Sequence, residues 1–181
     1  HMKKAVAWIL ATVMAVSALA GCGGSGTAQG GDSGAREDGT AEQVVVQLDA
    51  DPGDLSPWGN NSVSSLRAKA CIYQPLVEYR SDGELHGVLL ESWEQTDPTH
   101  YTLHLRENVK MHNGDILTAS DVLFCIQMAA ESSAFVQNTK GINLEESQVV
   151  DDQTLILAYD FETVFAMENL ARISITTKNA Y

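Results

Sequence analysis

Residues 101–124 read Tyr-Thr-Leu-His-Leu-Arg-Glu-Asn-Val-Lys-Met-His-Asn-Gly-Asp-Ile-Leu-Thr-Ala-Ser-Asp-Val-Leu-Phe. Apolar and polar side chains alternate over residues 101–106, so that Tyr101, Leu103 and Leu105 share one face of the chain. This period of two predicts a strand with one buried and one exposed face. A half-buried strand is therefore the starting point for predicting the fold.

A turn and a helix are predicted after this strand. Asn113-Gly114 is a frequent turn dipeptide, so the chain is expected to reverse there. Thr118 and Asp121 have the spacing of a capping box, in which each side chain bonds the backbone N–H of the other residue. This spacing predicts a helix that begins near Thr118 and buries Val122, Cys125, Ile126 and Ala129.

The rest of the domain repeats this mixture of strands and helices. Strands are predicted at 76–79, after the Asp82-Gly83 turn, at 142–149 and at 154–159, with a short helix at 163–171 and a β-like run at 173–177. Another turn is predicted at Asp97-Pro98. Turns are too frequent for a regular βαβ repeat, so the predicted fold class is mixed α/β.

The segment before this domain core begins with a β-branched run. Residues 44–48 predict a strand buried on both faces, whose sheet partners come from elsewhere in the protein. Residues 49–61 carry prolines, glycines and aspartates around Trp58 and predict a loop. Asn61 or Ser62 can then cap a helix whose apolar face is formed by Val63, Leu66, Ala70 and Tyr73.

The N-terminal region has the pattern of an export signal. Two lysines precede an apolar run over residues 5–20, about 16 residues, which is shorter than the about 20 that a membrane-spanning helix needs. Residues 19–22, Leu-Ala-Gly-Cys, resemble the lipobox of bacterial lipoproteins, which implies cleavage before Cys22 and lipidation of its thiol. His1 is interpreted as a cloning remnant, so residues 1–22 are the remnant plus a lipoprotein signal peptide.

Residues 23–43 are rich in glycine and serine and contain almost nothing to bury. Such a segment cannot offset the entropy of ordering, so it predicts a flexible tether. Two acyl chains on one cysteine give stable anchoring. Together these features predict a domain held at a membrane through the lipid on Cys22.

Charge and motifs disfavour two classes of function. The chain has 24 acidic against 11 basic residues and a net charge of −13, and such a surface repels nucleic acid. The sequence contains no Gly-x-Ser-x-Gly elbow, no phosphate-binding Gly-x-x-x-x-Gly-Lys loop and no Cys-x-x-Cys pair. No enzyme is therefore predicted. Cys71 and Cys125 both lie among apolar residues and predict two buried free thiols, although export leaves a disulfide open.

Residues 87–94, Gly-Val-Leu-Leu-Glu-Ser-Trp-Glu, together with residues 101–124 resemble the signature of the family 5 extracellular solute-binding proteins of ABC importers. This family includes dipeptide, oligopeptide and nickel receptors. Residues 54–57, Asp-Leu-Ser-Pro, resemble its usual Leu-Asp-Pro, with Ser56 in place of aspartate. Gln74 likewise stands where the family has glutamate. The resemblance covers approximately residues 44–181.

The resemblance implies a bilobal periplasmic-binding-protein-like (type 2) fold. Residues 44–61 are then the first segment of lobe one, 62–171 its accessory subdomain and 172–181 the return into lobe one. Family members are much longer, so the chain is expected to be an N-terminal fragment without the second lobe. The implied function is delivery of oligopeptides or dipeptides to ABC transporter permease subunits, from a lipid anchor facing the extracellular or periplasmic side and without a cofactor.

The same resemblance implies a position for the ligand. In the family, the loop after the first strand borders the ligand, which makes candidates of Trp58, Gly59, Asn60, Asn61, Ser62 and Val63. Backbone groups of this loop can pair with an extended peptide, and Trp58 can floor a side-chain pocket. The alternative is a surface loop in which Trp58 only covers the end of the sheet.

The signature itself predicts scaffold rather than a ligand site. Arg106 ends the half-buried strand on its polar face, where its guanidinium can fork onto a carboxylate. The candidate partners are Glu91, Glu107 and Asp121. Because Thr118 and Asp121 are already explained as a helix cap, all three of Arg106, Thr118 and Asp121 are interpreted as structural residues.

Two other binding functions stay open at this point. A receptor for nickel or another small solute has the same fold, and four histidines cluster in the sequence at His86, His100, His104 and His112. Their spacing places them on different strands and turns, so no metal site is predicted. A non-transport adhesion or sensor lipoprotein shares every feature of the sequence.

Overall fold

The computed structural model describes residues 45–181, of which Val46–Tyr181 form one compact unit. The predicted signal peptide, the lipidation site at Cys22 and the tether lie outside the described residues. Within the described part of the chain, no helix has both the length and the apolar character needed to cross a membrane.

Within residues 45–181, six strands form two antiparallel sheets. Their bounds are Val77–Tyr79 (β1), Leu85–Gly87 (β2), Leu90–Asp97 (β3), His100–Leu105 (β4), Ile142–Val149 (β5) and Thr154–Tyr159 (β6). β1 pairs with β2, and the other four strands follow the order β3-β4-β6-β5. The strands predicted at 76–79, after the Asp82-Gly83 turn, at 101–106, at 142–149 and at 154–159 are confirmed. The turn predicted at Asp97-Pro98 is confirmed as well.

The alternation that predicted β4 also explains its burial. Tyr101, Leu103 and Leu105 are buried, while the intervening side chains are only half-buried. Leu103 lies opposite Trp93 of β3 on one side and Leu155 of β6 on the other. β4 is therefore an inner strand whose apolar face forms the centre of the core.

The predicted helix packs against this sheet as α2, Ala119–Glu131. The Thr118 hydroxyl accepts a hydrogen bond from the Asp121 N–H at 3.3 Å, and the Asp121 carboxylate accepts one from the Thr118 N–H at 3.0 Å. This capping box satisfies N–H groups that the first helical turn leaves without partners. The predicted buried residues are confirmed: Val122, Cys125, Ile126 and Ala129.

Helix α1, Val63–Lys69, begins after Ser62 as predicted, but its predicted buried face is wrong. Val63 and Leu66 are 63% and 42% exposed. The buried residues are instead Ser64, Ser65 and Lys69. The reason is hydrogen bonding to the preceding loop, because the Ser65 hydroxyl donates to the Asp54 carbonyl at 3.2 Å and the Lys69 ammonium to the Asn60 carbonyl at 2.6 Å.

The predicted strand at 44–48 is also wrong over its described part. Residues 45–48 belong to no strand, and Val45 and Val46 are 83% and 57% exposed. A strand needs a neighbour to bond its backbone, and within residues 45–181 no strand pairs with this segment. Its apolar composition alone does not create a sheet.

Three further predictions are corrected in part: the burial of the two cysteines, the length of the last helix and the β-like run that follows it. Cys71 is exposed rather than buried because α1 ends at Lys69, whereas Cys125 is buried as predicted and both thiols are free. The helix predicted at 163–171 is the shorter α3, Ala166–Leu170. The β-like run at 173–177 contributes a single bridge, between Ile175 and Gln74.

Candidate ligand-binding site

Trp58 is the most buried of the six predicted ligand residues, with 4% of its surface exposed. Its indole Nε1–H donates to the Ser174 carbonyl at 3.1 Å, and its ring lies edge-on to Phe124 with centroids 6.1 Å apart. The Ser132 hydroxyl in turn donates to the Trp58 carbonyl at 2.6 Å. Trp58 therefore anchors its loop in the core, and little of its ring is available to a ligand in this structure.

Gly59 and Asn60 complete a tightly bonded loop. The Gly59 N–H donates to the Ser56 carbonyl at 3.3 Å. A Cβ at Gly59 would overlap the carboxylate of Asp54 and the hydroxyl of Ser56. The Asn60 amide is also used within the loop, because its Oδ1 accepts from the Ser62 N–H at 2.7 Å and its Nδ2 donates to the Pro52 carbonyl at 3.2 Å.

Asp54 holds the first half of the same loop. Its two carboxylate oxygens accept hydrogen bonds from the Ser56 N–H at 2.8 Å and the Ser56 hydroxyl at 2.9 Å. These bonds favour the ionised form and lower the pKa of Asp54 below its usual value. Asp54 is therefore a fixed negative charge at the loop surface.

Lys69 is the functional candidate that sequence reasoning missed. It is 2% exposed, and its Nζ donates to the Asn60 carbonyl at 2.6 Å and to the Pro57 carbonyl at 3.4 Å. The Phe135 ring centroid is 5.7 Å from the same nitrogen. Burial lowers the pKa of Lys69 by disfavouring its charged form. No sequence signal identified it, because a lysine in the last turn of a helix is ordinarily solvated.

Gly59, Asn61, Ser62 and Val63 are the exposed members of the predicted site. The Asn61 side-chain amide donates to the Ala134 carbonyl at 2.8 Å, which ties the loop to the segment after α2. The Ser62 hydroxyl accepts the Ser65 N–H and caps α1. Together with Gly59, these residues are the part of the predicted site that is exposed to solvent.

An open cleft lies beside the loop and has a volume of about 600 Å³. Of the six predicted residues, only Asn61 lines it. Polar and charged side chains share the lining with an apolar wall: Asn61, Lys69, Tyr73, Gln74, Glu78, Asn138, Arg172 and Ser174, and then Leu66, Ala70, Pro75, Val88, Ala134, Phe135, Ala171 and Ile173. Four separate parts of the chain meet here, which no local pattern in the sequence indicates.

Arg106 does not form the predicted ion pair. Its Nε donates to the Val88 carbonyl at 2.9 Å and its Nη2 to the Gly87 carbonyl at 3.1 Å. The predicted partners were wrong because the bend between β2 and β3 brings two backbone carbonyls beside the end of β4. Asp121 is used in the capping box and also accepts the Lys178 N–H at 2.8 Å.

The histidines considered as metal ligands form separate contacts. His86 lies 2.8 Å from Asp82, and His100 lies 3.0 Å from Asp97. Each pair lies at its own turn. Within residues 45–181, no group of three or more His, Cys, Asp or Glu side chains is arranged to hold a metal ion.

Known structures and sequences give the fold its class. PBP AgaA from A. tumefacien R10, solved in complex with agropinic acid, is similar with a TM-score of 0.66 and 26% identity, over 74% of this chain and 28% of that chain. The periplasmic oligopeptide-binding protein OppA of Haemophilus influenzae is 33% identical over 115 residues, 61% of this chain and 21% of that protein. The nickel-binding periplasmic protein of Escherichia coli is 29% identical over 75 residues, 41% of this chain and 14% of that protein.

The fold is therefore part of the mixed α/β fold of a periplasmic binding protein, and the predicted fold class is confirmed. The profile of the bacterial extracellular solute-binding proteins, family 5 Middle, matches residues 84–180. The chain belongs to this family, whose members are transport binding proteins rather than enzymes. It spans only about a fifth of the length of the oligopeptide-binding relative.

Proposed function

We propose that this chain acts within an extracellular substrate-binding protein that delivers oligopeptides or dipeptides to the permease subunits of an ABC importer. The observation that carries the proposal is the family match over residues 84–180, together with the similarity to an oligopeptide-binding protein. Binding without catalysis is the role that we assign to it. The nickel-binding relative keeps a metal receptor as the competing reading.

We assign the six loop residues two different roles in that binding. Trp58, Gly59 and Asn60 hold the loop in one conformation through the contacts described above. Asn61, Ser62 and Val63 are exposed and supply the contacts to the ligand. A loop that is fixed before binding costs less entropy to order, which favours affinity.

The domain division implied by the sequence is kept as part of the proposal. Residues 44–61 form the first segment of lobe one, residues 62–171 the accessory subdomain and residues 172–181 the return into lobe one. The bonds that Arg106, Thr118 and Asp121 make to backbone groups support a structural role for these residues. None of the three lines the cleft.

Peptide binding tests the proposal directly. Calorimetric titration of the natural protein with a pool of di- to pentapeptides should show saturable binding. The double variant Asn61→Ala/Val63→Ala should weaken it by about tenfold, because it removes an amide and an apolar contact. Val164→Ala is the matched control, since this valine is 75% exposed and lies outside the loop.

Two outcomes would contradict the peptide proposal. Saturable binding of nickel with no binding of peptides would favour the metal receptor. Equal peptide affinities of the loop variant and the Val164→Ala control would place the ligand away from residues 61–63. Cooperative thermal unfolding of both variants shows that each comparison is between folded proteins.

We further propose that the mature protein begins at Cys22 and is anchored to the cell membrane by lipid on this cysteine. The lipobox-like residues 19–22 and the glycine-rich residues 23–43 support this location. Expressed with its signal in a bacterial host, the Cys22→Ser variant should lose the mass of the lipid and leave the membrane fraction. Retention of that variant in the membrane fraction would show that another feature anchors the protein.

A further inference from the structure

Lys69 is the hydrogen-bond donor for two carbonyls of the loop that precedes α1. Its Nζ donates to the Asn60 carbonyl at 2.6 Å and to the Pro57 carbonyl at 3.4 Å. Within residues 45–181, no backbone N–H and no other side chain donates to either carbonyl. A carbonyl that is removed from water is costly without a donor. The loop backbone therefore depends on Lys69 at these two points.

The position of Lys69 in α1 explains how it reaches the loop. Lys69 is the last residue of α1, and side chains of a helix lean towards the N-terminal end of that helix. Its ammonium group therefore lies beside the loop that comes before the helix. The same nitrogen is 5.7 Å from the centroid of the Phe135 ring, in the turn after α2. One side chain thus joins α1, the loop and the turn after α2.

The loop is attached to the turn after α2 at two further points. The Trp58 carbonyl accepts from the Ser132 hydroxyl at 2.6 Å, and the Asn61 amide donates to the Ala134 carbonyl at 2.8 Å. Each of these two loop residues directly follows one whose carbonyl Lys69 bonds. A shift of those carbonyls would therefore move Trp58 and Asn61 with them.

Keeping an ammonium group in this position is costly. Lys69 is 2% exposed, and within the described part of the chain no carboxylate lies within ion-pair distance of it. Burial lowers the pKa of Lys69 below its usual 10.5, and attraction by Asp54 offsets part of this shift. An apolar side chain would avoid the cost but would leave the two carbonyls without a donor. In some proteins, buried polar groups of this kind select one conformation over its alternatives.

We propose that Lys69 is the positioning residue of the ligand-binding loop. Its ammonium group fixes the backbone of residues 57–60, and this backbone sets where the exposed Asn61, Ser62 and Val63 lie. Lys69 acts through the loop rather than through contact with the ligand, because a loop that is already fixed loses less entropy on binding. The inference rests on the proposed function for the identity of the ligand-binding residues, whereas the fixed backbone is a property of the ligand-free protein.

A pH titration of the ligand-free, full 181-residue chain tests the contact. The Nζ signal of Lys69 and the carbonyl carbon signals of Pro57 and Asn60 are followed by NMR from about pH 7 to about pH 11. The three signals should move together with one midpoint, which lies below 10.5 because burial lowers the pKa of Lys69. Carbonyl signals that do not follow the Nζ signal would overturn the proposal. No residue is replaced, so this measurement does not require that a variant folds.

Lys69→Met is the deciding variant, because an unbranched apolar side chain keeps most of the lysine stem and removes the N–H donors. The amide signals of residues 58–63 should shift, whereas those of β4 should stay in place. The movement of the two carbonyl signals with pH should also disappear. The variant keeps the other charged or titratable groups beside Lys69, which are Asp54, Tyr73, Glu78 and Arg172.

Lys140→Met is the matched control, since Lys140 is exposed and does not line the cleft. With the pool of di- to pentapeptides that tests the proposed function, Lys69→Met should bind about tenfold more weakly than Lys140→Met. Equal peptide affinities of the two variants would overturn the positioning role, as would signal shifts in β4 as large as those in the loop. Absence of peptide binding by the natural protein would contradict the proposed function alone, because the ligand-free signals still decide the role of Lys69.

Discussion

Raising the pH from 9 to 12 is expected to remove about 4 kcal/mol of stability through Cys125 alone, since burial raises the pKa of this thiol from 9.0 to about 12. The folded protein keeps the thiol neutral over that range. The unfolded chain ionises it from pH 9 upward. Because the folded pKa is the higher one, the contribution is complete below pH 9 and is lost as the pH rises towards 12.

The position of Cys125 explains the shift. It lies on the buried face of α2, where its Sγ is 3.1 Å from the Thr176 carbonyl and 3.4 Å from the Thr176 nitrogen. Burial disfavours the thiolate, and the Thr176 N–H offsets only part of that cost. The raised pKa values of Tyr101 and Tyr159 act in the same direction as that of Cys125.

Comparison with Cys125→Ala isolates the thiol from the tyrosines and from Lys69, whose lowered pKa acts in the opposite direction. Urea unfolding is measured for both proteins at several pH values from 7.5 to 11. The difference in their free energies of unfolding should shrink by about 1.4 kcal/mol for each pH unit above 9. A difference that stays constant over this range would show that the Cys125 thiol is not protected by folding.

The main sheet and α2 could be predicted from the sequence because their signals are local. The alternation around Leu103 reports a strand with one buried face, and Thr118 and Asp121 define the start of a helix by spacing alone. Both kinds of pattern act through neighbours a few residues away. They therefore do not depend on where distant loops place their polar groups.

Two of the failed predictions concern side chains whose hydrogen-bond partners are backbone carbonyls outside their own helix or strand. The apolar face predicted for α1 is exposed because Ser65 and Lys69 bond carbonyls of the preceding loop. Arg106 bonds two carbonyls at a bend that only the tertiary structure creates. Hydrophobic periodicity contains no information about where loop carbonyls point, so these contacts could not be predicted.

The candidate site is a prediction that names a segment of the chain, and nothing in the sequence predicted the surface that this segment forms. The resemblance to a known family located residues 58–63 in the sequence, and it could not tell that Trp58 is anchored in the core whereas Asn61 borders a cleft. The cleft brings together residues 61–78, Val88 between β2 and β3, the turn after α2 and the segment after α3. Its charges are separated by more than a hundred residues in the sequence, as Lys69 and Arg172 show.

Added side-chain volume at the bend between β2 and β3 should lower the stability of the protein as much as added volume in the core does. Gly87→Ala is expected to cost about 3 kcal/mol, because a Cβ at this position would overlap the backbone carbonyl oxygen of Leu90. A backbone atom cannot move aside as the end of a flexible side chain can. Any shift of the bend would also displace the Gly87 carbonyl from Arg106 and the pairing of Gly87 with Val77.

Gly83→Ala provides a control at the turn of the same hairpin. Gly83 has a φ of 81° and open space around its Cβ position, so its replacement adds backbone strain of about 1–2 kcal/mol without a clash. Free energies of unfolding in urea for the two variants should therefore differ by at least about 1 kcal/mol. If Gly83→Ala costs as much as Gly87→Ala, the close approach of Gly87 to Leu90 is not what fixes the bend.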